Sequence, residues 1–135
     1  MKQVAKLVII DKDDNYLMLY RTDHPTFGND PDLPGGTLEE GESVLETMLR
    51  EVQEEIGVII GDNEAKEIYS SSDYSLHGTH YYLFITKLNK KPKITISWEH
   101  SSYEWLKRDD FLNKAKSAHD TYMHMVYDAI LTTSP

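Results

Sequence analysis

The sequence predicts an α/β chain of the α+β kind, a sandwich in which a mixed central sheet carries helices on both faces. Three observations predict it. Short runs rich in branched and aromatic residues recur along the chain, one capped amphipathic segment sits between Ser43 and Gly57, and a second apolar helical stripe lies near the C-terminus. In order, Ala5 to Ile10 reads as a buried strand, Asp11 to Asn15 as a polar turn, and Tyr16 to Arg21 as the strand that completes a hairpin. A loop from Thr22 to Asp32, carrying His24, Pro25, Gly28 and Pro31, leads into the turn Leu33-Pro34-Gly35-Gly36. Lys66 to Ser71 and His80 to Thr86 read as strands with a turn at His77-Gly78, and Ile94 to Trp98 and Tyr103 to Leu106 as two more. Asp109 to Phe111 begins a helical turn. Ser117 with Asp120 has the form of a capping box, opening a helix to about Leu131 with Tyr122, Met125, Val126, Ala129 and Ile130 inward.

The helix between these strands carries the chemistry. Ser43 followed by Glu46 is a capping box that starts it at Val44, and Gly57 supplies the left-handed residue that ends it after Ile56. Leu45, Met48, Leu49, Val52 and Ile56 recur at spacings of three and four and form its buried stripe. Glu51, Glu54 and Glu55 share another face, where like charges repel one another unless a cation sits among them. Clustered hard oxygens suit Mg2+ or Mn2+, which keep several waters and bridge to phosphates. Arg50 can pair with Glu46 and Glu54 and hold a carboxylate in orientation. An acidic helix whose glutamates merely face water would account for neither the paired glycines nor the offsets of Glu42 and Gly57.

Length and composition bound the rest. The 135 residues fit one domain spanning 1–135, large enough to bury a core without disulfides. A net charge of −9 disfavours nucleic-acid backbones and anionic membranes as main partners, so an anionic substrate needs cations to enter. There are no cysteines, which excludes a thiol nucleophile and cysteine-bound zinc. The apolar run Leu7 to Ile10 is too short for a signal peptide, and nothing approaches the roughly 20 residues of a membrane span. The expected location is cytoplasmic. None of the six histidines forms a helical zinc pair; His24, before the glycine turn, is the one best placed for substrate. The lysines from Lys87 to Lys93 read as a solvated turn.

Gly36 to Val58 resembles the Nudix box, G-x5-E-x7-R-E-U-x-E-E-x-G-U with U aliphatic, at Gly36, Glu42, Arg50, Glu51, Val52, Glu54, Glu55, Gly57 and Val58. The resemblance implies the α-β-α Nudix sandwich and hydrolysis of a diphosphate linkage in a nucleoside diphosphate joined to a moiety X, with Mg2+ as cofactor and Mn2+ as its substitute. It implies Glu51, Glu54 and Glu55 as metal ligands, joined by a backbone carbonyl of the turn, Gly35. Arg50 would orient the carboxylates, and Gly36, Glu39 and Glu42 would line the turn. The general base is expected in Glu51 or Glu54, with Glu104 an outside candidate because Glu104-Trp105 resembles a Glu-Trp pair of MutT-like members. Arg21 falls where such members carry a substrate-binding arginine, and Tyr74 near a tyrosine of dinucleoside polyphosphate hydrolases. The proline that tends to mark ADP-ribose pyrophosphatases is absent, with Ser71 to Ser75 reading SSDYS.

The expected substrate is a small nucleotide, foremost a (deoxy)nucleoside triphosphate in the MutT manner. Dinucleoside polyphosphates, ADP-ribose and a capped RNA 5′ end are alternatives, the last the one exception to the exclusion of nucleic acid. Two other classes compete: a nucleotide sensor of the same fold without turnover, and an interaction module with a merely acidic helix. The intact Arg50, Glu51, Glu54 and Glu55 set counts against the sensor, and a failure to bind Mg2+ or Mn2+ would support the module. Whether Phe27, Tyr74, Tyr81, Tyr82 or Tyr103 stacks on a base does not follow from sequence, and a homodimer is left open.

Overall fold

A computed structural model of the chain describes residues 1–22 and 29–133. His24, Pro25, Phe27 and Gly28 lie outside the described residues. The strands are β1 (Gln3–Ile10), β2 (Tyr16–Arg21), β3 (Pro31–Asp32), β4 (Gly35–Thr37), β5 (Lys66–Ser71), β6 (His80–Lys87) and β7 (His100–Leu106). The helices are α1 (Val44–Ile56), α2 (Arg108–Ser117) and α3 (Tyr122–Thr132). All seven strands belong to one mixed sheet. Its main path runs β3-β2-β1-β6-β5, with β4 paired to β1 and β7 to β2. The long central contact is parallel, Gln3 opposite His80 through Ile10 opposite Lys87, while the other pairings are antiparallel.

Alternation along β1 divides the core in two. Ala5, Leu7 and Ile9 face α1 and meet Met48, Val52 and Ile56; Val8 and Ile10 face the opposite way and meet Phe111, Met123, Met125 and Val126. The expected sandwich is present, with α1 on one face and α2 and α3 on the other. The helix α1 has the predicted bounds. Ser43 Oγ accepts from the Glu46 amide at 3.1 Å, Glu46 Oε1 accepts from the Ser43 amide at 2.8 Å, and Gly57, at φ +73°, ends the helix with a bond to Gln53 O. Met48, Val52 and Ile56 are fully buried, each contributing on the order of 2 kcal/mol of hydrophobic stabilisation.

Two expectations need correction. Ile94 to Trp98 joins no ladder among the described residues. Its amides cap the end of α1 instead, Thr95 N–H donating to Ile56 O at 2.9 Å and Ser97 N–H to Glu55 O at 3.0 Å, so its alternation serves the last carbonyls of a helix. Ser117 does not cap α3 either. It closes α2, its hydroxyl donating to Asn113 O, and α3 starts at Tyr122 without a side-chain cap. The turn between them is held by Asp30, whose carboxylate accepts the amides of His119 and Asp120 at 2.9 and 3.0 Å.

Candidate active site

The site begins at the two glycines. Gly35 has φ +143°, and a Cβ there would lie 2.0 Å from the Ala5 carbonyl oxygen, because β4 is pressed against β1. Gly36 is needed for a different neighbour. A Cβ there would lie 2.3 Å from Glu51 Cδ, so the Glu51 side chain occupies the space that the glycine leaves. The turn and the first box glutamate are therefore fitted to each other. Glu55 reaches the same turn, its Oε1 accepting the Gly35 amide at 2.8 Å.

Arg50 organises the outer part. Its Nε and Nη2 grip Glu42 in a two-point contact at 2.6 and 2.9 Å, its Nη1 donates to Glu51 at 2.8 Å and Glu54 at 3.2 Å, and Glu39 lies 3.7 Å away. Glu42 is fixed in turn by the Thr47 hydroxyl and the Glu39 amide, at 2.8 and 3.0 Å. The Arg50 contact, with the Glu39 amide and the Thr47 hydroxyl, holds the Glu42 carboxyl down at about 2. The glutamates of the helix behave in the opposite sense. Burial pushes Glu55, 6% exposed, up to about 7, with Lys6 and the Gly35 amide opposing. Burial also raises Glu51, against the pull of Arg50, with Glu54 and Glu99 adding to the rise.

One guanidinium thus serves four carboxylates, while Glu55 lies buried against the turn. Among the described residues no group of three His, Cys, Asp or Glu side chains is already gathered for a metal ion. Glu51 and Glu54 are turned to Arg50 instead. The donor set is nonetheless hard oxygen throughout, with a surplus of negative charge that one arginine does not neutralise, and this chemistry fits Mg2+ or Mn2+.

The other expected residues divide. Glu39 and Glu42 are brought beside Arg50. Glu104 is not brought to the cluster: on β7 it lies opposite Met18, hence on the α2 and α3 face, where it accepts from the Tyr20 hydroxyl at 2.8 Å, whereas Trp105 packs on the α1 side. Arg21 places its guanidinium beside Asp120 at 2.9 Å and Asp32 at 3.7 Å. Tyr74 donates to Asp128 on α3 at 2.6 Å, away from the helix carboxylates. Sequence reasoning missed Glu99. The segment that caps α1 carries it into electrostatic reach of Glu51, and its carbonyl accepts from Thr22 N–H at 3.0 Å. The signal was the pair Trp98-Glu99, hidden by reading Ile94 to Trp98 as a strand. Asp120, the partner of Arg21, also lines a cavity of about 230 Å³ with Lys2, Ser75, His77, Thr79 and Tyr81.

Comparison with known proteins follows the same lines. Over 70 residues, 52% of this chain, it is 40% identical to a Methanocaldococcus jannaschii protein named ADP-ribose pyrophosphatase, and the match spans 41% of that protein, less than half its length. A MutT/nudix family protein from Enterococcus faecalis superposes with a TM-score of 0.74 at 21% identity, covering 96% of this chain and 61% of the other. The MutT protein from Methanosarcina mazei Go1 gives 0.70 at 19% identity, covering 98% and 96%. A C. elegans Ap4A hydrolase gives 0.69 at 21%, covering 95% and 97%. These structures share the fold. The model described as the NUDIX domain matches residues 1–126, and over that length, which takes in the glycine turn, the capped helix and the Arg50 cluster, the chain belongs to the NUDIX family.

Proposed function

We propose that the chain is a divalent-cation-dependent hydrolase that cleaves the diphosphate linkage of a nucleoside diphosphate joined to a second group. The observation that carries the reading is Arg50 shared by Glu39, Glu42, Glu51 and Glu54, with Glu55 buried against Gly35. Glu51, Glu54, Glu55 and the backbone of Gly35 would hold Mg2+ or Mn2+. When bound, such an ion neutralises diphosphate charge and acidifies water. Arg50, anchored by Glu42, draws Glu51 and Glu54 to the same Nη1 and so holds them near each other, and Gly36 leaves Glu51 its space. Glu54, 60% exposed in its side chain, would accept the proton of the attacking water, with Glu99, whose charge is felt at Glu51, as the second candidate. Glu104, on the other face of the sheet, has no part in this reading.

For the substrate we favour ADP-ribose, ahead of a (deoxy)nucleoside triphosphate, on the name of the relative that is 40% identical over 70 residues. Water would attack one phosphorus, the bridging P–O bond would break, and AMP and ribose 5-phosphate would leave, the water's proton passing to a carboxylate. Arg21, whose partner Asp120 lines the cavity, is the substrate-side cation of this reading. The test is turnover of ADP-ribose, nucleoside triphosphates, oxidised nucleotides, nucleotide sugars and diadenosine polyphosphates with Mg2+, with Mn2+ and with EDTA. AMP from ADP-ribose only when metal is present supports both steps. Turnover of triphosphates alone restores the MutT-like substrate, and metal and nucleotide binding without turnover of any compound points to a sensor.

A further inference from the structure

We propose that Asp32 and the buried side chains fastened to it form a positioning cluster for the glycine turn, setting the Gly35 amide against Glu55. The inference rests on the metal-dependent reading above. Asp32 is 5% exposed, and four elements converge on it. Lys6 of β1 donates to its Oδ1 at 3.1 Å, and the Tyr122 hydroxyl of α3 donates to the same oxygen. His100 Nε2 of β7 lies 2.9 Å from Oδ2 and, since a carboxylate only accepts, carries the proton there. Arg21 of β2 stands at 3.7 Å.

The same side chains hold the next residue. Leu33 N–H donates to the Tyr122 hydroxyl at 2.9 Å, and Leu33 O accepts from Lys6 Nζ at 2.9 Å. Pro34 O then accepts from Leu7 N–H at 3.0 Å, and Gly35 N–H meets Glu55 at 2.8 Å. From Asp32 to Gly35 the chain is thus fixed residue by residue, up to the first contact with a helix carboxylate. Packing alone does not explain this. Well-packed apolar side chains of the same volume fill a core at least as favourably as a buried ionic group, whose desolvation is costly. What ions and hydrogen bonds add is direction, and outer partners that orient a metal's ligands change metal affinity or activity by roughly 10- to 100-fold.

The test uses the full chain and Mn2+ alone as probe, with free Mn2+ measured by electron paramagnetic resonance, alongside thermal midpoints and the split between kcat and KM. Tyr122→Phe keeps the ring stacked on Tyr81 and removes only the hydroxyl. His100→Leu removes the donor to Asp32, and His100→Gln returns one. Thr86→Val is the comparison, deleting a buried hydroxyl that donates to Glu64 O, remote from the turn. Tyr122→Phe and His100→Leu should weaken Mn2+ binding about tenfold and lower kcat by a similar factor, with KM within twofold. His100→Gln should recover most of both, and Thr86→Val should lose midpoint temperature without changing either. Wild-type Mn2+ affinity in folded Tyr122→Phe and His100→Leu overturns the inference, as does equal weakening by Thr86→Val. Asp32→Asn carries the same comparison if either variant does not fold. Absence of any metal-dependent turnover by the wild type would sink the hydrolase reading by itself, while the Mn2+ affinities still decide the positioning cluster.

Discussion

At the scale of single residues, the carboxylates are sorted by their surroundings more than by their spacing. Glu42 and Glu55 are both box glutamates, yet one is held at about 2 by Arg50 and the other pushed to about 7 by burial. Burial of Glu55 makes stability depend on pH. Its carboxyl ionises near 4.5 in the unfolded chain and near 7 in the folded one, so between those values the folded chain holds the extra proton. Its contribution is fully present below about 4.5 and is lost as pH rises to about 7, on the order of 3 kcal/mol. Urea melts of the metal-free protein at pH 5 and pH 8 should show that loss, and Glu55→Gln should flatten it; an unchanged pH dependence in Glu55→Gln would contradict the assignment. Metal binding needs the ionised form, so Mg2+ affinity should strengthen over the same interval. A second comparison separates two glutamates five residues apart. Glu99→Gln should lower kcat by one to two orders of magnitude and Glu104→Gln by less than threefold, given the 10²–10⁴ range of acid–base contributions.

Secondary-structure elements were legible to different degrees. The ends of α1 could be read because its capping box and Gly57 are local signals, satisfied within a few residues. Ser43→Ala should cost about 1 kcal/mol in a denaturant melt, with no change in metal dependence of activity. The strand pairs at β1, β2, β5 and β6 were legible from alternation, whereas Ile94 to Trp98 alternates and yet pairs with a helix end, because its partner is fixed by tertiary packing that no local pattern encodes. That misreading concealed Glu99. Ser117 misled for a related reason: a hydroxyl can satisfy the end of one helix as readily as the start of the next. At the turn, Gly35→Ala should be severe. Its φ and the 2.0 Å approach to the Ala5 carbonyl leave backbone nowhere to move, and a loss above about 3 kcal/mol, or failure to fold, is expected by denaturant melt.

Across the whole molecule, the sheet decides what the helix carboxylates meet. Parallel pairing of β1 with β6 puts α1 on one face and α3 on the other, and Asp32 joins the two through Lys6, His100 and Tyr122. The box was visible in the sequence because its spacing is contained in one turn and one helix. The Asp32 cluster was not, since Lys6, His100 and Tyr122 lie 26 to 90 residues from Asp32 and each alone reads as an ordinary polar residue. No helix among the described residues is long and apolar enough to cross a membrane. In the proposed function the Arg50-ordered glutamates would bind a divalent cation that serves to break a diphosphate bond. The most direct test follows ADP-ribose, and in parallel a nucleoside triphosphate, by product chromatography with wild type and Glu54→Gln across a Mg2+ titration. The wild type should cleave one of them in a saturable, Mg2+-dependent way, abolished by EDTA and reduced at least 100-fold in Glu54→Gln with its thermal midpoint unchanged. Cleavage that persists in EDTA, or a Glu54→Gln variant as active as the wild type, would contradict it.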